Sequence, residues 1–249
     1  MDSDHTELQG KRVLVTGGTT GIGRESVLLL AEHGARVVTL GRHEPELKDT
    51  LSDAGAAAGG EVFGLTADTG TREGVDRAFA AVDEHLGGLD VLVCCAALGA
   101  GPLAEMDDEE WRYVVETNLI GYMACARRAI SLMSEGGGGQ LVFVGSISST
   151  IKAVGESVYA ATKAGVDAFA ETLRKEISAD RNIRITVVQP GATATDMQEG
   201  SEEELRQAVQ AHEMLPAREV AEAILFAVTR SADTDVVVLR IEPRIQKTS

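Results

Sequence analysis

The sequence is poor in aromatic residues, cysteine and positive charge, and each shortage excludes a class of protein. Aromatic residues make up 4% of the 249 residues, so aliphatic side chains must fill the core. The three cysteines, Cys94, Cys95 and Cys125, form no CxxC pair and no disulfide framework, which fits a reducing compartment. The five histidines show no ligand spacing, and we therefore expect no metal site.

Basic residues are outnumbered: 23 Lys and Arg stand against 39 Asp and Glu, which gives a formal net charge of −16. Binding to nucleic acid or to an anionic membrane needs a basic face, so we expect neither partner. The N-terminal segment lacks the apolar core of a signal peptide, and no apolar run approaches the ~20 residues that span a bilayer. We therefore expect a cytoplasmic protein.

What the chain does have is a regular alternation of short apolar runs and helical patterns. The apolar runs, typical of strands buried on both faces, cover residues 12–15, 36–40, 61–65, 90–94, 140–144, 183–188 and 236–241. The helical patterns between them cover residues 22–33, 71–86, 109–133, 157–178 and 218–230. This alternation predicts an α/β fold, a single Rossmann-type doubly wound parallel sheet of about seven strands with helices on both faces.

No repeat or linker divides the chain, so residues 1–249 are interpreted as one dinucleotide-binding catalytic domain. The acidic segment of about residues 195–215, with Glu199 and Glu202 to Glu204, follows the sixth strand. Insertions at this place often cover a ligand site, so the segment is a candidate substrate lid. A solvated acidic helix is an equally good and compatible interpretation.

A glycine-rich turn joins the first predicted strand to the first helix. Gly17 permits a tight turn, Gly21 lets the backbone approach a pyrophosphate, and Gly23 lets helix and strand pack closely. The helix that begins near Ile22 offers free N–H groups and the positive end of its dipole. The turn therefore predicts dinucleotide binding.

The end of the second strand distinguishes the two nicotinamide cofactors. An NAD site places a carboxylate there for the ribose hydroxyls, but this chain has Gly41 followed by Arg42. A guanidinium binds a 2′-phosphate in bidentate fashion, so the pattern favours NADP(H). Thr19, Thr20 and His43 are candidates for further hydrogen bonds.

Candidate catalytic residues lie in the second half of the chain. Tyr159 and Lys163 are four residues apart near the start of a predicted helix, so they share one face. For proton transfer near neutral pH, the pKa of Tyr159 must fall by about 2–3 pH units, and a neighbouring ammonium supplies part of this. Ser146, just past the fifth strand, is placed to bind a substrate oxygen. Asn118, mid-helix, is a candidate to hold a water that links Lys163 to solvent.

The TGxxxGxG turn, Asn118, Ser146, Tyr159 with Lys163, and Gly191 with Thr195 resemble the short-chain dehydrogenase/reductase family in type, order and spacing. The likeness runs over residues 10–242. It implies a Ser-Tyr-Lys-Asn tetrad, with Lys163 also on the nicotinamide ribose. It further implies a homo-oligomer, a tetramer or a dimer. The remaining cofactor contacts that it implies are Asp68 near the adenine, Ala96 near the adenine ribose, Gly191, and Thr195 at the carboxamide.

The chain departs from the family at Cys94-Cys95-Ala96-Ala97, where many members have Asn-Asn-Ala-Gly. The chain end loosely resembles the NADP-dependent branch that oxidises small 3-hydroxy acids. An acidic substrate would need a cation, for which Lys152 is the nearest candidate, whereas Glu156 would oppose an anion. The expected activity is reduction of a carbonyl or oxidation of an alcohol. An epimerase or dehydratase on the same scaffold, or a nucleotide sensor without turnover, are the alternatives.

Overall fold

The centre of the fold is a seven-stranded sheet in which every neighbouring pair of strands is parallel. The computed structural model describes residues 8–56, 60–198 and 200–247, so Glu199 of the acidic segment lies outside the described residues. The strands of the sheet are β1 (Arg12–Thr16), β2 (Arg36–Gly41), β3 (Val62–Thr66), β4 (Val91–Cys94), β5 (Gly139–Val144), β6 (Ile183–Pro190) and, last in the chain, β9 (Val238–Ile241).

The order of the strands is β3-β2-β1-β4-β5-β6-β9, so the winding reverses between β1 and β4. This order confirms the predicted Rossmann-type doubly wound sheet of seven strands. In such sheets ligands bind outside the carboxyl ends of the strands, at the reversal. A separate two-stranded ribbon pairs β7 (Thr193–Ala194) with β8 (Leu215–Pro216), which fixes the two ends of the acidic segment to each other.

Helices cover both faces of the sheet. They are α1 (Gly21–Glu32), α2 (Glu44–Ala56), α3 (Arg72–His85), α4 (Asp108–Val115), α5 (Gly121–Glu135), α6 (Ser148–Ile151), α7 (Ser157–Arg181), α8 (Glu202–Gln210) and α9 (Ala217–Val228). Successive residues of a strand point to opposite faces, so Leu14 packs in one apolar core and Val13 and Val15 in the other. The near-continuous apolar runs of the sequence are explained by these two cores.

The structure differs from the predicted single helix 109–133 at its middle. Between α4 and α5 the chain forms one π-helical turn, Glu116–Ile120, in which the Gly121 N–H donates to the Glu116 carbonyl. Gly121 lies so close to the Thr69 backbone that an added Cβ would be 2.6 Å from its carbonyl oxygen. The wider turn contains Asn118, and such turns are frequent at functional sites.

The acidic segment contains α8, which buries none of its residues and has the capping box Ser201–Glu204. It is therefore a solvated acidic helix, as one interpretation of the sequence held. Its movement as a lid stays a prediction. None of the helices in the described ranges is long and apolar enough to cross a bilayer.

Candidate active site

A cleft of about 1100 Å³ opens at the carboxyl ends of the strands and is lined by two of the four predicted catalytic side chains, Ser146 and Tyr159. Arg42 lies at one end of this cleft, and Ser146 and Tyr159 line its middle. Six adjacent strands each lead into one predicted site residue; in sheet order these are Asp68, Arg42, Gly17, Ala96, Ser146 and Gly191. The topology thus brings together residues that are far apart in the sequence.

The glycine turn after β1 approaches its neighbours so closely that side chains are excluded. A Cβ added at Gly23 would be 2.0 Å from the Gly17 carbonyl oxygen, and one added at Gly17 would be 2.6 Å from the Ala96 backbone. Gly17 and Gly21 also have positive φ angles, 67° and 50°, that favour glycine. Thr195 lies against this turn, with its methyl carbon 3.0 Å from the Cβ position of Gly21. The cradle that a pyrophosphate needs is therefore present at the start of α1.

The end of β2 has no room for a carboxylate. A Cβ on Gly41 would lie 2.2 Å from the Thr19 hydroxyl oxygen, because the buried Thr19 side chain fills this position. The next residue, Arg42, is exposed and forms no ion pair within the described ranges, whereas nine other arginines do. Its guanidinium is therefore available to an anion at this end of the cleft.

One hydrogen-bond chain at this end was not foreseen from the sequence. The Arg42 guanidinium donates to the Tyr113 hydroxyl (Nη1 to Oη, 3.0 Å), and that hydroxyl donates to the Asp68 carboxylate. The second Asp68 oxygen accepts from the Gly70 N–H at 2.8 Å. Tyr113 is one of only three tyrosines in the chain, and this scarcity was the available signal.

Ser146 and Tyr159 meet at the middle of the cleft. The Ser146 hydroxyl oxygen accepts from the Ser148 N–H at 3.1 Å, which leaves its own hydrogen free to donate. The Ser146 hydroxyl is a neighbour of Tyr159 that favours the ionised phenol and so lowers the Tyr159 pKa. The two hydroxyls therefore converge on one point, where a carbonyl or alcohol oxygen can be held.

Lys163 is almost fully buried one helical turn after Tyr159. Its ammonium donates to the Val144 carbonyl at 2.8 Å and lies 5.6 Å from the centre of the Tyr159 ring. Burial lowers the pKa of Lys163 to about 8, against an ordinary value of 10.5. The ammonium also lies 5.3 Å from the centre of the Tyr122 ring. Among the described residues it donates no hydrogen bond besides the one to Val144, so two of its protons are available to ligand hydroxyls.

Burial raises the pKa of Tyr159, a hydrogen bond from Ser146 opposes the rise, and the charge of Glu156 adds to it. The expected lowering by the neighbouring lysine is thus not produced by the protein groups alone. Lys163 is not among the groups that shift the Tyr159 pKa, and its ammonium donates to the Val144 carbonyl.

The side chain of Asn118 is fully buried and is occupied by protein partners. Its oxygen accepts from the Leu98 N–H and its amide donates to the Leu98 carbonyl, both at 2.8 Å. The amide also reaches the Thr162 hydroxyl at 3.4 Å. The side chain therefore fastens the loop after β4 to the π-helical turn, and the water-holding role of Asn118 remains a prediction.

The cysteine pair after β4 behaves as small apolar side chains. Burial raises the pKa of Cys95 to about 12 and that of Cys94 well above its ordinary value, so both thiols stay protonated at neutral pH. Within the described ranges no group of three metal-ligating side chains occurs. Of the loop residues near Tyr159, Glu156 lines the cleft, whereas Lys152 does not.

Comparisons with known proteins agree with this geometry. The sequence profile of the short chain dehydrogenase family matches residues 11–206. The 3-oxoacyl-[acyl-carrier-protein] reductase MabA of Mycobacterium tuberculosis is 36% identical over 211 residues, 84% of this chain and 79% of the relative. Carbonyl reductase family member 4 of Danio rerio is 35% identical over 86% of this chain and 89% of its own length. A crystal structure of actinorhodin polyketide ketoreductase with NADPH superposes with a TM-score of 0.84 at 31% identity, and the match covers 95% of this chain and 97% of the other.

Proposed function

Because this chain belongs to the short-chain dehydrogenase/reductase family, we propose that it is an NADP(H)-dependent oxidoreductase acting on a carbonyl or alcohol substrate, a ketone, aldehyde or hydroxy acid. The observation that carries the proposal is the convergence of the Ser146 and Tyr159 hydroxyls beside the buried Lys163, in the cleft that Arg42 also lines. Two relatives are named as reductases of carbonyl compounds, which supports the reducing direction.

Different residues bind different parts of the cofactor. Gly17, Gly21 and Gly23 bind the pyrophosphate, and Arg42 binds the 2′-phosphate that distinguishes NADP from NAD. Thr195 and Gly191 contact the nicotinamide end, with Asp68 and Ala96 at the adenosine end. The nicotinamide, when bound, supplies or accepts the hydride.

Ser146 holds the substrate oxygen, and in reduction Tyr159 donates its phenolic proton to that oxygen as the hydride reaches the carbon. Lys163 holds the ribose through its two remaining protons. With the cofactor bound, the positive charges of Lys163 and of oxidised nicotinamide lower the Tyr159 pKa and so oppose the rise that burial causes. Asn118 holds the loop after β4 in place beside the proton path. We further expect a cytoplasmic homo-oligomer, either a tetramer or a dimer, which light scattering measures directly.

The test is a titration of the purified protein with NADPH and with NADH, followed by NADPH oxidation with a panel of aldehydes, ketones and keto acids. Tighter binding of NADPH and turnover of at least one carbonyl compound are expected. Equal affinity for both cofactors contradicts the role of Arg42, and NADPH binding without turnover of any carbonyl contradicts the proposed reaction.

A further inference from the structure

Two observations in different parts of the cleft each carry an inference, and both rest on the proposed function. The first concerns the charge of the substrate and begins with Glu156. This residue directly precedes α7, but its side chain makes no capping bond to that helix. Instead its carboxylate accepts a hydrogen bond from the Ser148 hydroxyl at 3.0 Å and faces the cleft.

Glu156 lies three residues before Tyr159, so its negative charge acts on a ligand that is bound beside Tyr159. The positive end of a helix dipole favours anions, and a carboxylate there cancels this attraction. Lys152 does not line the cleft, and the only lysine that does, Lys247, is paired with Glu213. The cleft wall also includes apolar side chains, namely Leu98, Met106, Ile147, Ile151 and Met197.

We propose that Glu156 selects uncharged carbonyl substrates, so that keto acids with a free carboxylate close to the carbonyl are rejected. A second carboxylate beside Glu156 is repelled by the like charge, whereas an ester or a simple ketone incurs no such repulsion. This narrows the substrate class to neutral carbonyl compounds.

The experiment compares a keto acid with its methyl ester. The pair has the carbon skeleton of a carbonyl compound that the protein reduces in the substrate panel; for a 3-oxo skeleton the pair is acetoacetate and methyl acetoacetate. In the unchanged protein we expect kcat/KM for the ester to exceed that for the acid at least ~10-fold. Glu156→Gln should lower this ester-to-acid ratio about 10-fold, because kcat/KM for the acid rises. Glu105→Gln, an exposed carboxylate on the rim of the same cleft, is the control and should keep the ratio. An unchanged ratio in Glu156→Gln, or an acid reduced as well as its ester, overturns the proposal.

The second inference concerns cofactor preference and begins with Tyr113. Its hydroxyl lies between a cation and an anion, because it accepts from Arg42 and donates to Asp68. The Arg42 carbon also lies 5.7 Å from the centre of the Tyr113 ring. The tyrosine thus keeps Arg42 and Asp68 from forming a direct ion pair, which would occupy the guanidinium.

We infer that Tyr113 is a positioning residue for NADP(H) preference, acting through Arg42. A free arginine side chain loses about 2 kcal/mol of rotamer entropy on being fixed, and a neutral acceptor that orients it in advance reduces this cost for a 2′-phosphate. NADH lacks that phosphate and gains nothing from the orientation.

The test measures Kd for NADPH and NADH in four proteins: the unchanged chain, Tyr113→Phe, Arg42→Ala and the double variant. Tyr113→Phe should lower the preference for NADPH about 3–10-fold. It should change nothing further in the Arg42→Ala background, since the hydroxyl acts through the guanidinium. Trp111→Phe, two residues earlier on α4, is the control and should keep the preference. Equal weakening of both cofactors, or an additive effect in the double variant, overturns the inference. If the unchanged chain already lacks a preference for NADPH, the proposed function itself fails.

Discussion

Asn118 and Leu98 are joined by a pair of hydrogen bonds, one in each direction, between an amide side chain and a loop backbone. Both bonds are 2.8 Å long and both lie where a π-helical turn meets the cleft. Because Leu98 lines the cleft, this connection fixes the wall against which a substrate packs.

Replacing Asn118 with Ala should therefore both destabilise the fold and loosen the cleft. Leaving the Leu98 N–H and carbonyl unpaired costs about 1–3 kcal/mol, which urea unfolding measures. We expect KM to rise as well as kcat to fall. Thr117→Val is the control, because the buried Thr117 hydroxyl has no partner in the described structure. If both variants lose the same stability, the Asn118–Leu98 bonds contribute nothing particular.

Tyr159→Phe removes the proton donor without changing the shape of the helix. We expect kcat to fall about 10²–10⁴-fold, since this is the contribution of a positioned acid or base. The Kd for NADPH should change little, because the proposed cofactor contacts, the glycine turn and Arg42, are left intact. Steady-state kinetics and a fluorescence titration measure the two effects, and retained turnover would rule out the assigned mechanism.

Arg42→Ala should weaken the binding of NADPH much more than the binding of NADH. Charge-assisted hydrogen bonds are worth about 1.5–3 kcal/mol, so Kd for NADPH should rise about 10–100-fold. The Kd for NADH should stay within a few-fold of its original value. Arg112→Ala, an exposed arginine of α4 that pairs with Asp108, controls for the loss of positive charge. An equal loss for both cofactors would show that Arg42 is not the phosphate contact.

Lys163 gives the stability of the protein a pH dependence of known sign. The folded pKa of about 8 lies below the ordinary 10.5, so between these values the unfolded chain binds more protons and stability rises with pH. Below pH 8 the buried charge costs about 3 kcal/mol relative to a neutral lysine.

Lys163→Met isolates this contribution from the cysteines, because the thiols of the unfolded chain titrate at about pH 8.5 equally in both proteins. Urea unfolding at pH 7, 8.5 and 10 should find the variant more stable than the unchanged chain at pH 7. The difference should shrink as the pH rises. A difference that stays constant over this range would mean that Lys163 titrates normally in the fold.

The sheet was predictable because its central strands, such as β4 and β5, are buried on both faces and appear in the sequence as near-continuous apolar runs. The glycine turn was predictable for a similar reason, since close backbone approach admits no other residue. The π-helical turn was not, because the helical pattern of the sequence continues through residues 116–120; the contact of Gly121 with the Thr69 backbone is remote in sequence.

The parts of the site that escaped prediction depend on side chains from several elements. Arg42, Asp68 and Tyr113 come from three separate segments, and no spacing rule connects them. The upward shift of the Tyr159 pKa could likewise not be predicted from the sequence, because burial causes it and the four-residue spacing to Lys163 does not reveal burial. Residue type identifies the participants, whereas tertiary packing determines their electrostatics.

The filled space behind Gly41 limits how a carboxylate of the kind that binds NAD can be introduced at the end of β2. A single Gly41→Asp exchange would force its Cβ within 2.2 Å of the Thr19 oxygen and 2.8 Å of the Thr19 Cβ. A smaller residue at position 19 must therefore come first, or the acidic side chain has no place. Positions 19 and 41 should therefore be epistatic, because a carboxylate at position 41 requires the smaller residue at position 19 first. Saturation mutagenesis of position 41 alone should not recover a variant that carries this carboxylate.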